Sequence, residues 1–436
     1  MLTGPDPDAG SADALSRLLA ARPMTAARWG LERIRALLEA LGRPERDYAA
    51  LHIAGTNGKG STAAFAAGVL RAHGRSTGLY TSPHLVDVRE RIRIDGRCAD
   101  EDGLQVLAAR IERLEAAREA TYFEVTTALA FAAFARAGVE WAVVEAGLGG
   151  RLDATNALEP EAACVTTIGR DHSDLLGETL EEIAREKAGI FKPGVPAVIG
   201  EPDPGVAAVL VDRAREVGAR VWRLGEEASI SDVTVSRRGT SFTYRSRARG
   251  DALALRTPMA GAHQASNAAL ALLALEAAGV PLDPAAVERA VGHTRLAGRF
   301  ELRGGGRGLR VLDIAHNREA VAALLSTARS VAPRRPWVAV VSILSDKPWA
   351  DMLDMLRKDM DAIILTQAAS APVSRRWDPA ELERRYGAAP DVRVEPDLDT
   401  ALGAAAELSG DGTVFITGSA HTVGDARGHM EEYEEE

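Results

Sequence analysis

The stretch "LHIAGTNGKGSTAAF" (residues 51–65) sets a small-residue turn between an apolar run and a helix-forming run, with Lys59 inside the turn. A glycine-rich turn entering a helix offers backbone N–H groups and the positive end of the helix dipole to an anion. Lys59 adds a point charge suited to β- and γ-phosphates. The spelling departs from G-x-x-x-x-G-K-[ST], because Ile53 replaces the first glycine and Gly60 separates Lys59 from Ser61. Glu145 ends the run "WAVVEAG", and the carboxyl edge of a parallel sheet faces the ligand crevice. Its hard oxygens suit magnesium. Other residues read both ways when taken alone. Ser82 before Pro83 fits a turn, His172 a structural histidine, and Lys187 in "LEEIAREKAG" a solvated helix lysine. Asp313 fits a helix N-cap before "REAVAALL", and Phe123 fits a core position.

Positioning these groups requires alternating strands and helices. "YAALHIAG", "STGLYTS", "EWAVVEAG" and "AACVTTIG" read as strands, and "STAAFAAGVLRAHG" and "YFEVTTALAFAAFARAG" as helices, the second one mostly apolar. Such alternation implies crossover units and a mainly parallel sheet. "SDVTVS", "TSFTYRS" and "ALALRT" suggest a small antiparallel sheet, followed by a helix through "HQASNAALALLALEAAG" with a stop at Gly279. Glycines and charges cluster in "GHTRLAGRFELRGGGRG", and "LRVLDIAHN", "WVAVVSIL", "DAIILTQ" and "GTVFITGS" then read as strands. The expected fold class is therefore α/β, with an ATPase-like domain at residues 1–296 and a smaller Rossmann-like domain at 297–436. The tail "EEYEEE" reads as solvated and disordered.

The bulk composition narrows the function classes. With 436 residues the chain suits two domains, and 46% hydrophobic with 26% charged residues is ordinary for a soluble globular protein. An excess of 62 acidic over 52 basic side chains, net −10, argues against coating nucleic acid. Cys98 and Cys164 lack metal spacing and fit a reducing cytoplasm. "MLTGPDPDAGSADAL" shows no signal-peptide pattern, and no apolar run is long enough to span a bilayer.

The motifs taken together carry a resemblance. "GTNGKGS", "TSPHL", "ERIRIDG", "TYFEVTTALAF", "EAGLGGRLDATN", "IGRDH", "LEEIAREKAGIFKPG", "HQASNAALAL", "GRFE" and "DIAHN" follow one another. In that order they resemble the folylpolyglutamate synthase/dihydrofolate synthase family of the Mur-ligase-like superfamily, from about residue 30 to 427. Muramyl ligases share the loop and the Asp-x-x-His-Asn element, but not the Ser-Pro-His-Leu or Phe-Glu-x-x-Thr words. Departures are Ala146 for the commoner valine, Arg170 for leucine, Arg318 for proline, and "GSAHTVGDAR" for a Gly-Ser-Leu-Tyr ending.

The resemblance implies an ATP-dependent ligase that activates the carboxylate of dihydropteroate or a folate as an acyl phosphate and joins it to L-glutamate. ATP would be held by Gly55, Thr56, Asn57, Gly58, Lys59, Gly60, Ser61, Asn267, Arg299, Asp313 and His316. Two Mg2+ ions would be held by Ser82 and Glu145, and by His172 and a carbamylated Lys187; Lys59, Glu145, His172 and Lys187 carry the catalytic expectation. Gly30, Leu31 (in "WGLERI"), Thr121, Phe123, Asp153 and Ala154 match pterin-contacting positions, and an aromatic such as Phe123 suits a flat heterocycle. The expected partners are small molecules only, without nucleic acid or membrane, and a cytoplasmic monomer is expected. The rivals are a muramyl-type ligase and a nucleotide-dependent switch, and a switch has no need of the second metal.

Overall fold

The computed structural model describes residues 14–22, 29–304 and 308–434. Most of the N-terminal segment read for a signal peptide, residues 1–13, lies outside them, as do the last two residues of the tail.

Short apolar runs pair into one eight-stranded sheet. Its strands are β1 (Ala49–Ala54), β2 (Thr77–Tyr80), β3 (Ile92–Ile94), β4 (Arg97–Cys98), β5 (Trp141–Glu145), β6 (Ala162–Val165), β7 (Ala197–Ile199) and β8 (Val221–Arg223). The spatial order is β4-β3-β2-β5-β1-β6-β7-β8, parallel except for β3 and β4 at one edge. β1 runs between β5 and β6, with His52 in register with Val144 and Ala163. Covered on both faces, these central strands are near-continuous apolar runs rather than alternating ones, interrupted in β1 by the buried His52, whose Nε2 lies 2.8 Å from Thr155 Oγ1. Their carboxyl ends lie side by side, so the loop after β1, Glu145 at the end of β5, and the segment after β6 share one edge.

The helices that cover the sheet are built from small residues. Helix Lys59–Ala72 is buried from Gly60 through Leu70 and packs on helix Ala262–Ala277. Helix Tyr122–Ala137 starts at a reciprocal cap, where the Thr121 hydroxyl and the Glu124 carboxylate each take the other's backbone N–H. It stops at Gly138, which is left-handed. Its own Phe131 and Phe134, and Tyr80 of β2, are fully buried in the same core, each worth roughly 1.5–3 kcal/mol in water exclusion.

β9 (Ala228–Ser236), β10 (Gly239–Ser246) and β11 (Ala252–Thr257) form the expected antiparallel sheet, in the order β11-β10-β9. β11 buries every second residue, Leu253, Leu255 and Thr257. The third sheet contains β12 (Glu301–Arg303), β13 (Leu309–Asp313), β14 (Trp337–Val341), β15 (Ala362–Leu365), β16 (Val392–Val394) and β17 (Thr413–Thr417). Its order is β12-β13-β17-β14-β15-β16, parallel apart from β12. The expected α/β class with a second α/β unit holds.

The chain passes from the first body to the second through residues 294–300. Gly298 is left-handed with φ 68°, and a Cβ there would lie 2.8 Å from Ile314 Cγ2. Its N–H donates to Glu301 Oε2 at 2.9 Å, its carbonyl accepts from Ile314 N at 3.0 Å, and Phe300 N donates to Asp313 Oδ2 at 2.8 Å.

One expectation fails. The acidic tail does not begin as coil, because helix Ala420–Glu434 runs on through its first four residues. The helix is anchored by buried Val423 and Ala426 against the sheet. Glutamate is a good helix former, so a helix already nucleated upstream extends at little cost.

Candidate active site

The loop after β1 is shaped by backbone geometry. Gly55 and Gly58 have φ of 146° and 87°, and a Cβ on Gly55 would sit 1.9 Å from Thr166 Oγ1, one on Gly58 2.4 Å from Asn267 Oδ1. The loop is stitched to the segment after β6: Thr56 N donates to Thr167 O at 2.7 Å, and Asn57 O accepts from Thr166 Oγ1 at 2.7 Å. Lys59 opens the helix and its Nζ donates to Thr56 O at 3.1 Å, inside the turn it serves. Gly60 leaves room for Glu145, whose Oε2 would be 3.2 Å from any Cβ there.

Glu145 is buried and accepts from Ser82 N at 3.0 Å. Burial pushes its carboxyl above the usual range, opposed by the Lys59 charge, the Ser82 N–H and the Arg299 charge. Lys187 is buried, with Nζ donating to Gly55 O at 2.9 Å. Burial, and then the nearby Lys59 charge, lower its amine to about 7. The lysine read alone as a solvated helix residue thus faces the phosphate loop.

From the second body come Arg299, Asp313 and His316. Asp313 accepts from Phe300 N and Ala315 N, and burial raises it to about 6 against the opposing Arg299 charge. His316 Nε2 lies 3.3 Å from Asp171 Oδ2. Asp171 also pairs with Lys347 and stands 3.5 Å from Asn317 Nδ2. Burial alone would raise the Asp171 carboxyl; the hydrogen bond from His316 and the surrounding positive groups hold it far below the usual range instead. Lys347 Nζ lies 3.0 Å from His172 Nε2, and burial lowers His172 to about 4. The Asn57 and Asn317 side chains bond reciprocally at 3.3 and 3.1 Å.

These groups line one interdomain cleft of about 1240 Å3 that includes residues 55–61, Ser82, Glu145, His172, Lys187, Asn267, Arg299, Asp313 and His316. The structure therefore brings the candidate phosphate and metal residues together. The six candidate pterin residues sit elsewhere. Gly30 and Leu31 lie at the start of helix Glu32–Leu41, with Leu31 in the core. Thr121 is engaged as the helix cap. Phe123 stands behind Gly147, where a Cβ would be 2.4 Å from the ring. Asp153 is buried and accepts from Leu148 N at 2.8 Å and Thr155 N at 3.0 Å, and Ala154 is buried beside it. Gly147 and Leu148 line the cleft, so Phe123 and Asp153 back its wall. Asp171, Lys347, Asn317, Arg91 and His84 are the site residues that motif reading missed. Arg91 is buried in the cleft wall, with Nε donating to His84 Nδ1 at 2.7 Å. Asp171 and Asn317 stood inside "IGRDH" and "DIAHN", but Lys347 left no local signal.

Among the described residues no three His, Cys, Asp or Glu side chains cluster as a metal cage. Magnesium commonly keeps waters and takes one or two protein ligands beside phosphate oxygens. The buried Glu145 carboxylate beside Ser82 fits such an ion. The Nε2 lone pair of a neutral His172 would fit a second once Lys347 gives it up, but the Lys187 amine supplies no anionic oxygen as it stands.

The Mur ligase middle domain family matches residues 53–275, and the Mur ligase glutamate ligase domain family matches residues 298–420. The chain is 34% identical over 417 residues to a probable bifunctional folylpolyglutamate synthase/dihydropteroate synthase of Haloferax volcanii, covering 91% of this chain and 48% of that one. It thus spans about half the length of that curated relative. It is similar to the Mycobacterium tuberculosis folylpolyglutamate synthase complexed with ADP and AMPPCP, at 35% identity and TM-score 0.87 over 97% of this chain and 98% of that one. It is also similar to a bifunctional folylpolyglutamate synthase/dihydrofolate synthase with Mn, AMPPNP and L-glutamate bound, at 32% identity and TM-score 0.83 over 96% and 98%.

Proposed function

The chain belongs to the folylpolyglutamate synthase/dihydrofolate synthase family, and from that premise we propose that it is an ADP-forming ligase joining L-glutamate to dihydropteroate and to reduced folates. The observation that carries the reading is the convergence of Lys59 and Glu145 from one body with Arg299, Asp313 and His316 from the other around one cleft. The proposed reaction passes the γ-phosphoryl group of ATP to the substrate carboxylate, giving an acyl phosphate and ADP. The glutamate amine then attacks the acyl carbon and inorganic phosphate leaves.

In this reading the chain positions charge rather than reacting covalently. The N–H groups of residues 55–61 and the Lys59 ammonium hold the β- and γ-phosphates, and Asn267, Arg299, Asp313 and His316 hold the nucleotide from the facing wall. Ser82 and Glu145 would hold one Mg2+, and His172 with Lys187 a second, supplying countercharge to the transferring group. Lys187 would serve after carbamylation, in which its neutral amine adds to CO2 and releases one proton, exchanging a positive charge for a carboxylate-like group. A buried amine lowered to about 7 supports that step. A 13C carbamate resonance from labelled bicarbonate, lost in Lys187→Ala, tests it. Partial rescue of Lys187→Ala activity by acetate is the companion result, and a bare ammonium in a fully active preparation would rule it out.

We further propose a working division at 296/297 and a cytoplasmic monomer. Support for the division comes from the separate eight-stranded and six-stranded sheets, and the two cysteines are both free; among the described residues no helix is long and apolar enough to cross a membrane. The decisive assay is glutamate-dependent ADP release with dihydropteroate and, in parallel, tetrahydrofolate. Release with both supports the dual activity, release with one narrows it, and release with neither but with a muramyl precursor assigns the other branch.

A further inference from the structure

Lys347 lines the cleft and lies outside every motif. It sits in a rigid corner of the second body: Ser345 N donates to Arg375 O at 2.9 Å, and Asp346 takes both arms of the Arg375 guanidinium at 2.8 and 2.7 Å. From there its ammonium reaches across the cleft, with its side chain 5% exposed, to Asp171 and to His172 Nε2.

An ammonium has donors only, so His172 Nε2 is the acceptor and the ring proton is on Nδ1. The Nε2 lone pair that takes the lysine hydrogen is the one a metal would use, and a nitrogen with one lone pair cannot serve both. The ammonium therefore stands where a divalent ion on His172 would stand, between that ring and a carboxylate. We propose that Lys347 is a placeholder cation for the second divalent ion. It ties the two bodies together through Asp171, keeps His172 in the tautomer with Nε2 bare, and surrenders that nitrogen when the ion binds. The proposal rests on the reading of His172 as a metal ligand.

Mn2+ titration followed by electron paramagnetic resonance, with a non-hydrolysable ATP analogue present, tests it on wild-type protein and on Lys347→Met, which keeps the length of the side chain. Loss of one hydrogen bond from a charged donor, together with a like charge, should tighten the weaker Mn2+ site by about tenfold and leave the stronger site unchanged. The tightening should persist in Lys347→Met combined with Asp171→Asn, which separates a vacated His172 from an unneutralised carboxylate. In metal-free protein, 15N spectra of the histidine rings should show His172 protonated on Nδ1 in wild type and as mixed tautomers in Lys347→Met. An unchanged or weaker second site, a gain that vanishes in the double variant, or an unchanged tautomer overturns the placeholder role. His172→Ala separates the two ideas. If it still binds two Mn2+ ions, the metal-ligand reading fails and takes the placeholder with it. If it loses one while Lys347→Met behaves as wild type, only the placeholder fails.

Discussion

The phosphate loop and the seam between Asp171 and Lys347 hold the same cleft by opposite means. The loop is fixed by main-chain geometry, with glycines at positive φ and main-chain groups bound to the neighbouring segment. The seam is fixed by side chains: Lys347, His316 and Asn317 from the second body converge on one carboxylate of the first. A loop built from backbone is pre-shaped within its own domain, whereas a seam built from side chains exists only while the two bodies meet. Binding and closing are thus separable parts of this site.

Lys59→Ala should break the loop half hardest. Losing one preorganised charge contact costs about 2.7–4 kcal/mol in the barrier, so turnover should fall roughly 100- to 1000-fold with circular dichroism unchanged. Near wild-type turnover would remove Lys59 from phosphate binding. Asp171→Ala should break the seam next, leaving the buried Lys347 charge unpaired in the closed form, where such a loss costs about 3–5 kcal/mol. Opening relieves part of this, so kcat/KM for glutamate should drop roughly 10- to 100-fold while calorimetric ATP affinity stays within about threefold. An equal loss of ATP affinity would show that the two halves are not separable.

A pH series on Lys187 sharpens the loop side. Its folded proton affinity lies below the ordinary value, about 7 against 10.5. The unfolded chain therefore holds the extra proton between those pH values and stability climbs with pH across the window. Below pH 7 the cost of the buried ammonium is present in full. In CO2-free buffer Lys187→Met should raise Tm by roughly a few degrees at pH 6, with the gain shrinking toward pH 10; a gain independent of pH would contradict the buried charge. Asn57→Ala should act least, because this residue belongs to both regions: its carbonyl anchors the loop and its side chain meets Asn317. Only the reciprocal pair of neutral side-chain bonds to Asn317 is lost, about 1 kcal/mol together at the weak end of such bonds, or roughly fivefold in kcat/KM. A loss as deep as that of Lys59→Ala would make the seam part of phosphate binding.

The same division explains what could be read beforehand. "GTNGKGS" and the strand ending in Glu145 were legible because backbone needs leave local marks: glycines where φ is positive, and apolar runs where both faces are covered. Lys187 was legible only through family resemblance, since its helix reads as solvated until the loop closes over it. Lys347 was not legible. It meets His172 across 175 residues of sequence, and an isolated lysine in "SDKPW" has no periodicity to betray it. Thr121 and Asp153 match positions expected to meet a ligand, and their side chains also serve as a helix cap and a loop acceptor. Cap and loop residues draw on the same small polar side chains as a binding pocket, so type alone does not separate them. The acidic tail was misread because charge density was weighed without the packed helix leading into it.

The crossing at residues 294–300 has a mechanical consequence. Gly298 and Phe300 are bound through their backbones to the second body, so any pivot lies before them, and Arg299 between them travels with that body. Its half-buried guanidinium lines the cleft and feels both Asp313 and Glu145. Swinging the second body away therefore withdraws a positive charge from Glu145, and swinging it back returns one. If the two bodies part, the joint would act electrically as well as mechanically, leaving the Glu145 carboxylate without the Arg299 countercharge while the cleft is open and restoring that countercharge as it shuts. Such a device favours one sequence of events, loading first and shutting second.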